Sequence, residues 1–495
     1  MGNREKRARS NIIFTLAGQL VTIACGLIVP RLLIGQFGSE AYGATASIAQ
    51  FLAYISLLDG GVSGVARAAL YKPLAMQDGS KIRAILLQIR KFFRIIALIF
   101  LVYMLVLACI YKQISNVQSL DWITTFVLVI VIGVSIFMEY FLGISYSILI
   151  NAAQKTYVIQ IISIVTTVTN TALVMVLVFA DCSLIVVKLI SSLVFICRPV
   201  AMWLYVKKNF DLSGGGGSDA GELAEDPLKQ KWTGLAQHIA YVLHSNTDVV
   251  VLTLFSSLDL VAVYSVYQMV ISGVERIAHS FSSGMEALFG ELLARKEFDE
   301  LNKTFDRYES LISFVAGTLF SVTAVMMIPF VRLYTSDIND VNYIYPAFGL
   351  VLVIASYLFC IRLPYHAMVI ASGSFKQTRV AAYGEAAINA LLSVILVIKL
   401  GLLGAAIGTA VAVAFRMLCY VFYLKDNVFG RRVFKFVLRF LLDALSFVIS
   451  VVLGSLIAGM FDMSGFIWCV CAAAVTAVAA VVNYLFLFLS RRIHV

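Results

Sequence analysis

Fourteen apolar runs, separated by short polar loops, confine this chain to one class of fold. They cover approximately 11-34, 44-70, 92-111, 122-150, 157-180, 183-206, 233-256, 260-289, 309-334, 346-371, 378-399, 401-424, 433-460 and 465-489, numbered here as spans 1 to 14. A helix of about 20 apolar residues crosses the ~30 Å hydrocarbon core of a bilayer. In lipid each backbone must satisfy its own hydrogen bonds, so runs of this length are expected to be helices. The chain therefore reads as an all-α polytopic membrane protein. Composition agrees: 61% of the 495 residues are hydrophobic and 13% charged, against about 25% charged in soluble domains. The first run is too long for the core of a secretory signal and lacks a cleavage site, so it reads as a span.

Loop charge gives the expected orientation. The N-terminus and the loops on its side are basic, with Arg4, Lys6, Lys81, Arg83, Lys207, Lys208, Arg295, Lys296, Arg431 and Arg432. The opposite loops carry Glu40, Asp121, Asp181, Asp259, Asp337, Asp340 and Asp462, with Lys112 and Lys399 as exceptions. The positive-inside rule places both termini in the cytoplasm. It also accounts for the net charge of +10 without nucleic acid. Of the eight cysteines, none has zinc spacing, and they read as small apolar fillers.

Between spans 6 and 7, Leu212 to Ser218 includes four consecutive glycines, the composition of a flexible tether. The chain accordingly divides into a six-helix bundle at 1-206, a cytoplasmic linker at 207-232, a second six-helix bundle at 233-424, and two additional helices within 425-495. The bundles show a weak internal repeat. Asn170-Thr171-Ala172-Leu173 in span 5 matches Asn389-Ala390-Leu391-Leu392 in span 11, and the same offset brings Ser39-Glu40 onto Leu258-Asp259. Six spans is an even number, so the repeats are parallel, an arrangement that puts a transporter's substrate path between its halves.

Ionisable residues inside spans cost at least ~2.5–3.5 kcal/mol each and normally face a cavity or a partner. Here Asp59, Glu139, Arg198, Glu275, Arg276, Arg362 and Arg416 lie on even-numbered spans. Each is about 14 to 18 residues from the outer end, ~21–27 Å deep at 1.5 Å per residue. Arg67 lies deeper still, and Asp248 shares a face of span 7 with His244. Buried ion pairs holding helices in register would give the same placement. On these even spans, however, arginines outnumber carboxylates, and Arg stays charged in any site. That excess is expected to line a hydrated cationic cavity suited to an anionic cargo, phosphate above all, which guanidinium grips bidentately. Arg67, Arg198, Arg276, Arg362 and Arg416 are the candidate ligands, Arg198 less directly because Pro199 follows it. Asp59, Glu139, Asp248 and Glu275 are candidate sites for a coupling H⁺ or Na⁺. No catalytic role, cofactor or metal site is expected: there is no phosphate-binding loop, HExxH or GxSxG motif, and the five histidines are scattered.

A set of short motifs carries a family resemblance. Phe37-Gly38-Ser39-Glu40-Ala41-Tyr42-Gly43 precedes span 2, and Leu57-Leu58-Asp59-Gly60-Gly61-Val62-Ser63-Gly64-Val65-Ala66-Arg67 lies within it. Asn151-Ala152-Ala153-Gln154-Lys155 precedes span 5, and Ser245-Asn246-Thr247-Asp248 lies in span 7. In order, with twelve spans and an extra pair, they resemble polysaccharide flippases of the Wzx type, in the MOP superfamily with MATE exporters and the lipid II flippase. The resemblance implies a bacterial cytoplasmic (inner) membrane location and alternating access. It implies movement of undecaprenyl-pyrophosphate-linked oligosaccharide repeat units to the outer leaflet, with membrane lipids and a polysaccharide polymerase as partners. Two alternatives stay open: a MATE-like ion-coupled exporter of small molecules, and a membrane-embedded glycan polymerase or transferase. The first would want an acidic cavity, and the second a catalytic loop or donor-binding domain.

Overall fold

The computed structural model of the chain describes residues 3–115, 117–210, 235–282, 284–429, 433–461 and 465–492. The described residues are almost all helical, and thirteen helices are long and apolar enough to cross a membrane. The expected span 7 is a helix, Leu235–Phe255, but Gln237, His238, His244, Asn246 and Asp248 dilute its apolar character.

Spans 1 to 6 form α1 (Asn3–Phe37), α2 (Ser39–Ala53) with α3 (Val62–Ala75), α4 (Gly79–Ser115), α5 (Trp122–Met138) with α6 (Ile144–Ala152), α7 (Thr156–Phe179) and α8 (Leu184–Asn209). Spans 7 to 12 form α9 (Leu235–Phe255), α10 (Leu258–Ser280) with α11 (Met285–Arg295), α12 (Phe298–Tyr334), α13 (Pro346–Ile361) with α14 (Leu363–Ala371), α15 (Arg379–Leu400) and α16 (Leu402–Leu424). The last two are α17 (Val433–Ala458) and α18 (Gly465–Arg492). Several helices outrun their apolar core. Both α4 and α12 are 37 residues long, because their polar first turns are helix-compatible and hydropathy registers only the lipid-contacting part. Helix α8 likewise carries Lys207 and Lys208 past the expected boundary at 206. The expected glycine-rich linker lies outside the described residues.

The starts and stops have local causes. Asp121 caps α5 by accepting from the backbone N–H of Ile123 and Thr124 at 3.2 and 3.4 Å, satisfying donors that a helix start leaves open. Asp78 does the same for α4 through Lys81 N at 3.1 Å. Gly401 joins α15 to α16 at φ 57, ψ −131, a region that only glycine enters at low cost.

Four even-numbered spans are interrupted partway along. Span 2 passes through a 3-10 turn at Tyr54–Asp59 and then Gly60 and Gly61, both at positive φ. Span 8 breaks between Ser280 and Met285. Span 4 contains a π-turn, Glu139–Gly143, and span 10 breaks at Arg362, two residues before Pro364. The breaks in spans 2 and 8, and those in spans 4 and 10, correspond under the internal offset of the sequence to within a few residues. Each break frees backbone groups and turns a side chain out of the helical stripe, which lipid tolerates only where protein or water meets them.

The chain clusters into two compact units, Met1–His238 with Ser257–Ala262, and Ile239–Ser256 with Val263–Val495. In the first, α1 packs on α7, and α5 on α8. In the second, α15 packs along α16, and α13 on α16. The additional helices α17 and α18 pack on each other and on α12. Polar pegs fix that packing: Ser446 Oγ donates to Asn483 Oδ1 at 2.9 Å and Asn483 Nδ2 donates to Ser450 Oγ at 3.2 Å. Arg439 meets Glu309 at 3.2 Å and Ser310 at 2.8 Å. The outward rows, such as Leu98, Val102 and Leu105 on α4, are exposed and apolar, the surface a lipid-facing helix needs.

Candidate functional site

In the second unit, the break in span 10 delivers Arg362 into the bundle. Its Nη1 donates to Glu385 Oε1 of α15 at 2.6 Å. The other carboxylate oxygen accepts from Arg416 Nη1 of α16. Glu385 is fully buried and the two arginines nearly so. Arg416 Nε also donates to Tyr420 OH at 2.9 Å, and Tyr420 OH lies 3.4 Å from His366 Nδ1. Phe359 forms an aromatic floor: Arg362 lies over it at 4.8 Å, His244 stacks on it at 4.8 Å, and His279 tilts against it at 5.7 Å. Two permanent cations thus share one carboxylate.

The even-span census of charges overlooked Glu385. It sits seven residues into span 11, near a basic loop, and reads there as an end residue. It answers half of the positive charge of Arg362 and Arg416. Glu309 and Arg439, on spans 9 and 13, were overlooked for the same reason.

A separate polar cluster surrounds Asp248 of α9, which is 3% exposed. Thr409 Oγ1 donates to it at 2.8 Å, and Tyr264 OH at 3.0 Å. Asn389 Nδ2 donates to Thr409 Oγ1 at 2.9 Å. Asn389 Oδ1 and Ser393 Oγ are buried nearby on α15 without partners. All the groups around the carboxylate are therefore neutral. Glu275 is half-buried and Arg276 exposed, and the two interact electrostatically, with Ser356 hydrogen-bonding to the Glu275 side chain.

In the first unit, the π-turn of span 4 folds the Glu139 carboxylate over Gly143. A Cβ there would come within 2.7 Å of Glu139 Cδ, so glycine makes the room. Glu139 interacts electrostatically with Arg198 of α8. Arg198 Nε donates to Thr166 Oγ1 and its Nη2 to Thr167 Oγ1, each at 2.7 Å. Asp59 is half-buried and accepts from Ser63 Oγ at 3.4 Å, while His238 Nε2 lies 2.6 Å from the Ser56 carbonyl in the opened turn. Arg67 is exposed and has no ion pair among the described residues. The structure thus gathers Arg362 with Arg416, and Glu139 with Arg198, and leaves Arg67 and Arg276 exposed, Arg276 beside Glu275.

Several solved transporters share this arrangement of helices. The lipid II flippase MurJ, in an inward closed conformation, superposes with TM-score 0.68 at 14% identity, over 96% of this chain and 98% of that one. The chain shares the fold of that structure. An inward-facing multidrug-resistance MATE family transporter of the MOP superfamily gives TM-score 0.61 at 14% identity, over 84% of this chain and 99% of its own. An outward-facing one gives 0.59 at 13%, over 86% and 96%. No protein-family profile and no curated protein matches the sequence.

Proposed function

We propose that the chain is an alternating-access flippase that carries undecaprenyl-pyrophosphate-linked oligosaccharide from the inner to the outer leaflet of a bacterial cytoplasmic membrane. The observation that supports this most is the set of arginines on even-numbered spans. Arg67 and Arg276 present exposed guanidiniums, and the Arg362–Glu385–Arg416 cluster sets two guanidiniums against one carboxylate. A pyrophosphate group supplies a further anion, and a planar guanidinium binds it through two parallel hydrogen bonds. The fold, shared with a lipid II flippase over nearly the whole chain including the last two helices, agrees with a lipid-linked cargo.

The driving force in this reading is an ion gradient or the membrane potential, in which one charge crossing 100 mV supplies ~2.3 kcal/mol. Of Asp59, Glu139, Asp248 and Glu275, Asp248 suits the coupling role best. Its carboxylate, with the unpartnered oxygens of Asn389 and Ser393 close by, offers hard oxygen ligands to Na⁺ or a site for H⁺. The same exporter fold in MATE transporters favours a second reading, ion-coupled export of small molecules, in which the arginines would be ion-pair partners only.

The test is flipping of the lipid-linked unit in cells, normalised to folded protein in the membrane. Arg67→Lys and Arg276→Lys, which keep charge but lose the planar fork, should each lower it on the order of tenfold, and the alanine variants more. Normal flipping by well-folded alanine variants at both positions would end this reading.

A further inference from the structure

The interior of the first bundle contains a cavity of about 470 Å³ between α1, α2, α5, α7 and α8, a volume in the range of small-molecule sites. Its walls are largely apolar, with Val29, Ile132, Val174 and Phe195 among them. Most hydroxyls around it are already committed to backbone carbonyls: Thr22 to Gly18, Ser135 to Ile132, Thr171 to Thr167 and Ser192 to Val131. The groups left over follow a pattern. Lys188 lines the cavity and has no ion pair or hydrogen bond among the described residues. Ser191, one turn along the same face of α8, is also uncommitted. Opposite them, Asn170 of α7 is 7% exposed, with its side-chain oxygen buried and unpartnered; either end of an amide can be turned to a ligand. Arg198, also lining the cavity, adds a second positive charge, and Glu139 is the acidic side chain that answers it.

We propose that this cavity is a binding site for an amphipathic monoanion, its acidic head held by Lys188 Nζ and Ser191 Oγ and its apolar body lying against Val29, Ile132, Val174 and Phe195. An ammonium within a membrane bundle with no counter-ion is costly, and an anionic head removes that cost. The walls supply the rest through burial of apolar surface. The site is distinct from the guanidiniums proposed to grip pyrophosphate, and Lys188 has no part in that grip. The inference stands whether the cargo is a lipid-linked oligosaccharide or not.

The experiment is calorimetric titration of the full chain in nanodiscs of neutral lipid, with three probes: decanoate, inorganic phosphate and decylamine. Decanoate should saturate at one per chain and bind more tightly than phosphate, while decylamine should not bind there. Lys188→Met should weaken decanoate on the order of tenfold, and Ser191→Phe, which fills the cavity, should abolish binding. Lys188→Met should also raise the melting temperature of the ligand-free protein, since it removes an unpaired cation. Decanoate binding unchanged in Lys188→Met, or absent from the unsubstituted protein, would overturn the proposal. Phosphate binding as tightly as decanoate would overturn the amphipathic assignment.

Discussion

The two bundles solve the same problem, a charge inside a membrane helix bundle, in different ways. Arg198 in the first and Arg416 in the second lie within one residue of matching places on the sixth helix of each bundle. The partners of Arg198 on the fifth helix are Thr166 and Thr167, and that of Arg416 on the eleventh is Glu385, which follows Thr166 at the offset that relates Asn170 to Asn389. The acid in the first bundle sits instead on the fourth helix, as Glu139, where the second bundle has Arg362. One acid and one base on adjacent helices give the first bundle a loose, near-neutral pair beside an open cavity. Two bases clamped on one acid give the second a buried, packed and net-positive cluster. A repeat can thus keep helix breaks at similar places while redistributing charge.

Removing the acid from each cluster tests this contrast most strongly. Glu385→Gln leaves two buried guanidiniums sharing no anion, and such a loss costs about 3–5 kcal/mol. Folded yield in the membrane should collapse, and Arg416→Met in the same chain should recover part of it. An unchanged melting temperature for Glu385→Gln would mean that the cluster is hydrated and not a clamp. In the first bundle, Gly143→Ala forces a Cβ against the Glu139 carboxylate, an overpacking worth about 1–3 kcal/mol. Thermal unfolding should show it, with Glu139→Gln/Gly143→Ala no better than Gly143→Ala alone because the clash is steric. Thr166→Val has the smallest effect expected, about 1 kcal/mol for one hydrogen bond to a half-buried charge, and Thr167 still binds Arg198. A loss as large as that of Glu385→Gln would erase the distinction between the halves.

The sequence carried the architecture well and the pairing poorly. Apolar runs are strong signals because lipid permits few alternatives, whereas the interruptions of the even spans leave little mark on hydropathy. The clustering of Arg362 with Arg416 agrees with their similar depth. Glu385 was hidden because depth was counted from the loop ends, and a residue seven positions into a helix looks peripheral when the helix breaks beside it are unseen. Its one trace was the 219-residue offset from Thr166, invisible among apolar helices until the Arg198 contacts are known. Lys188 was hidden for a similar reason: four residues into α8, it resembles a residue reaching back to the interface.

Purified protein in liposomes, with an undecaprenyl-pyrophosphate-linked oligosaccharide in one leaflet and a membrane-impermeant glycosidase outside, addresses the central proposal most directly. The expected result is release of sugar from lipid that starts in the inner leaflet, dependent on protein and on an imposed ion gradient, and lost in Arg67→Ala and Arg276→Ala. No release above protein-free liposomes, together with gradient-driven export of a small organic cation by the same preparation, would contradict it and favour the exporter reading.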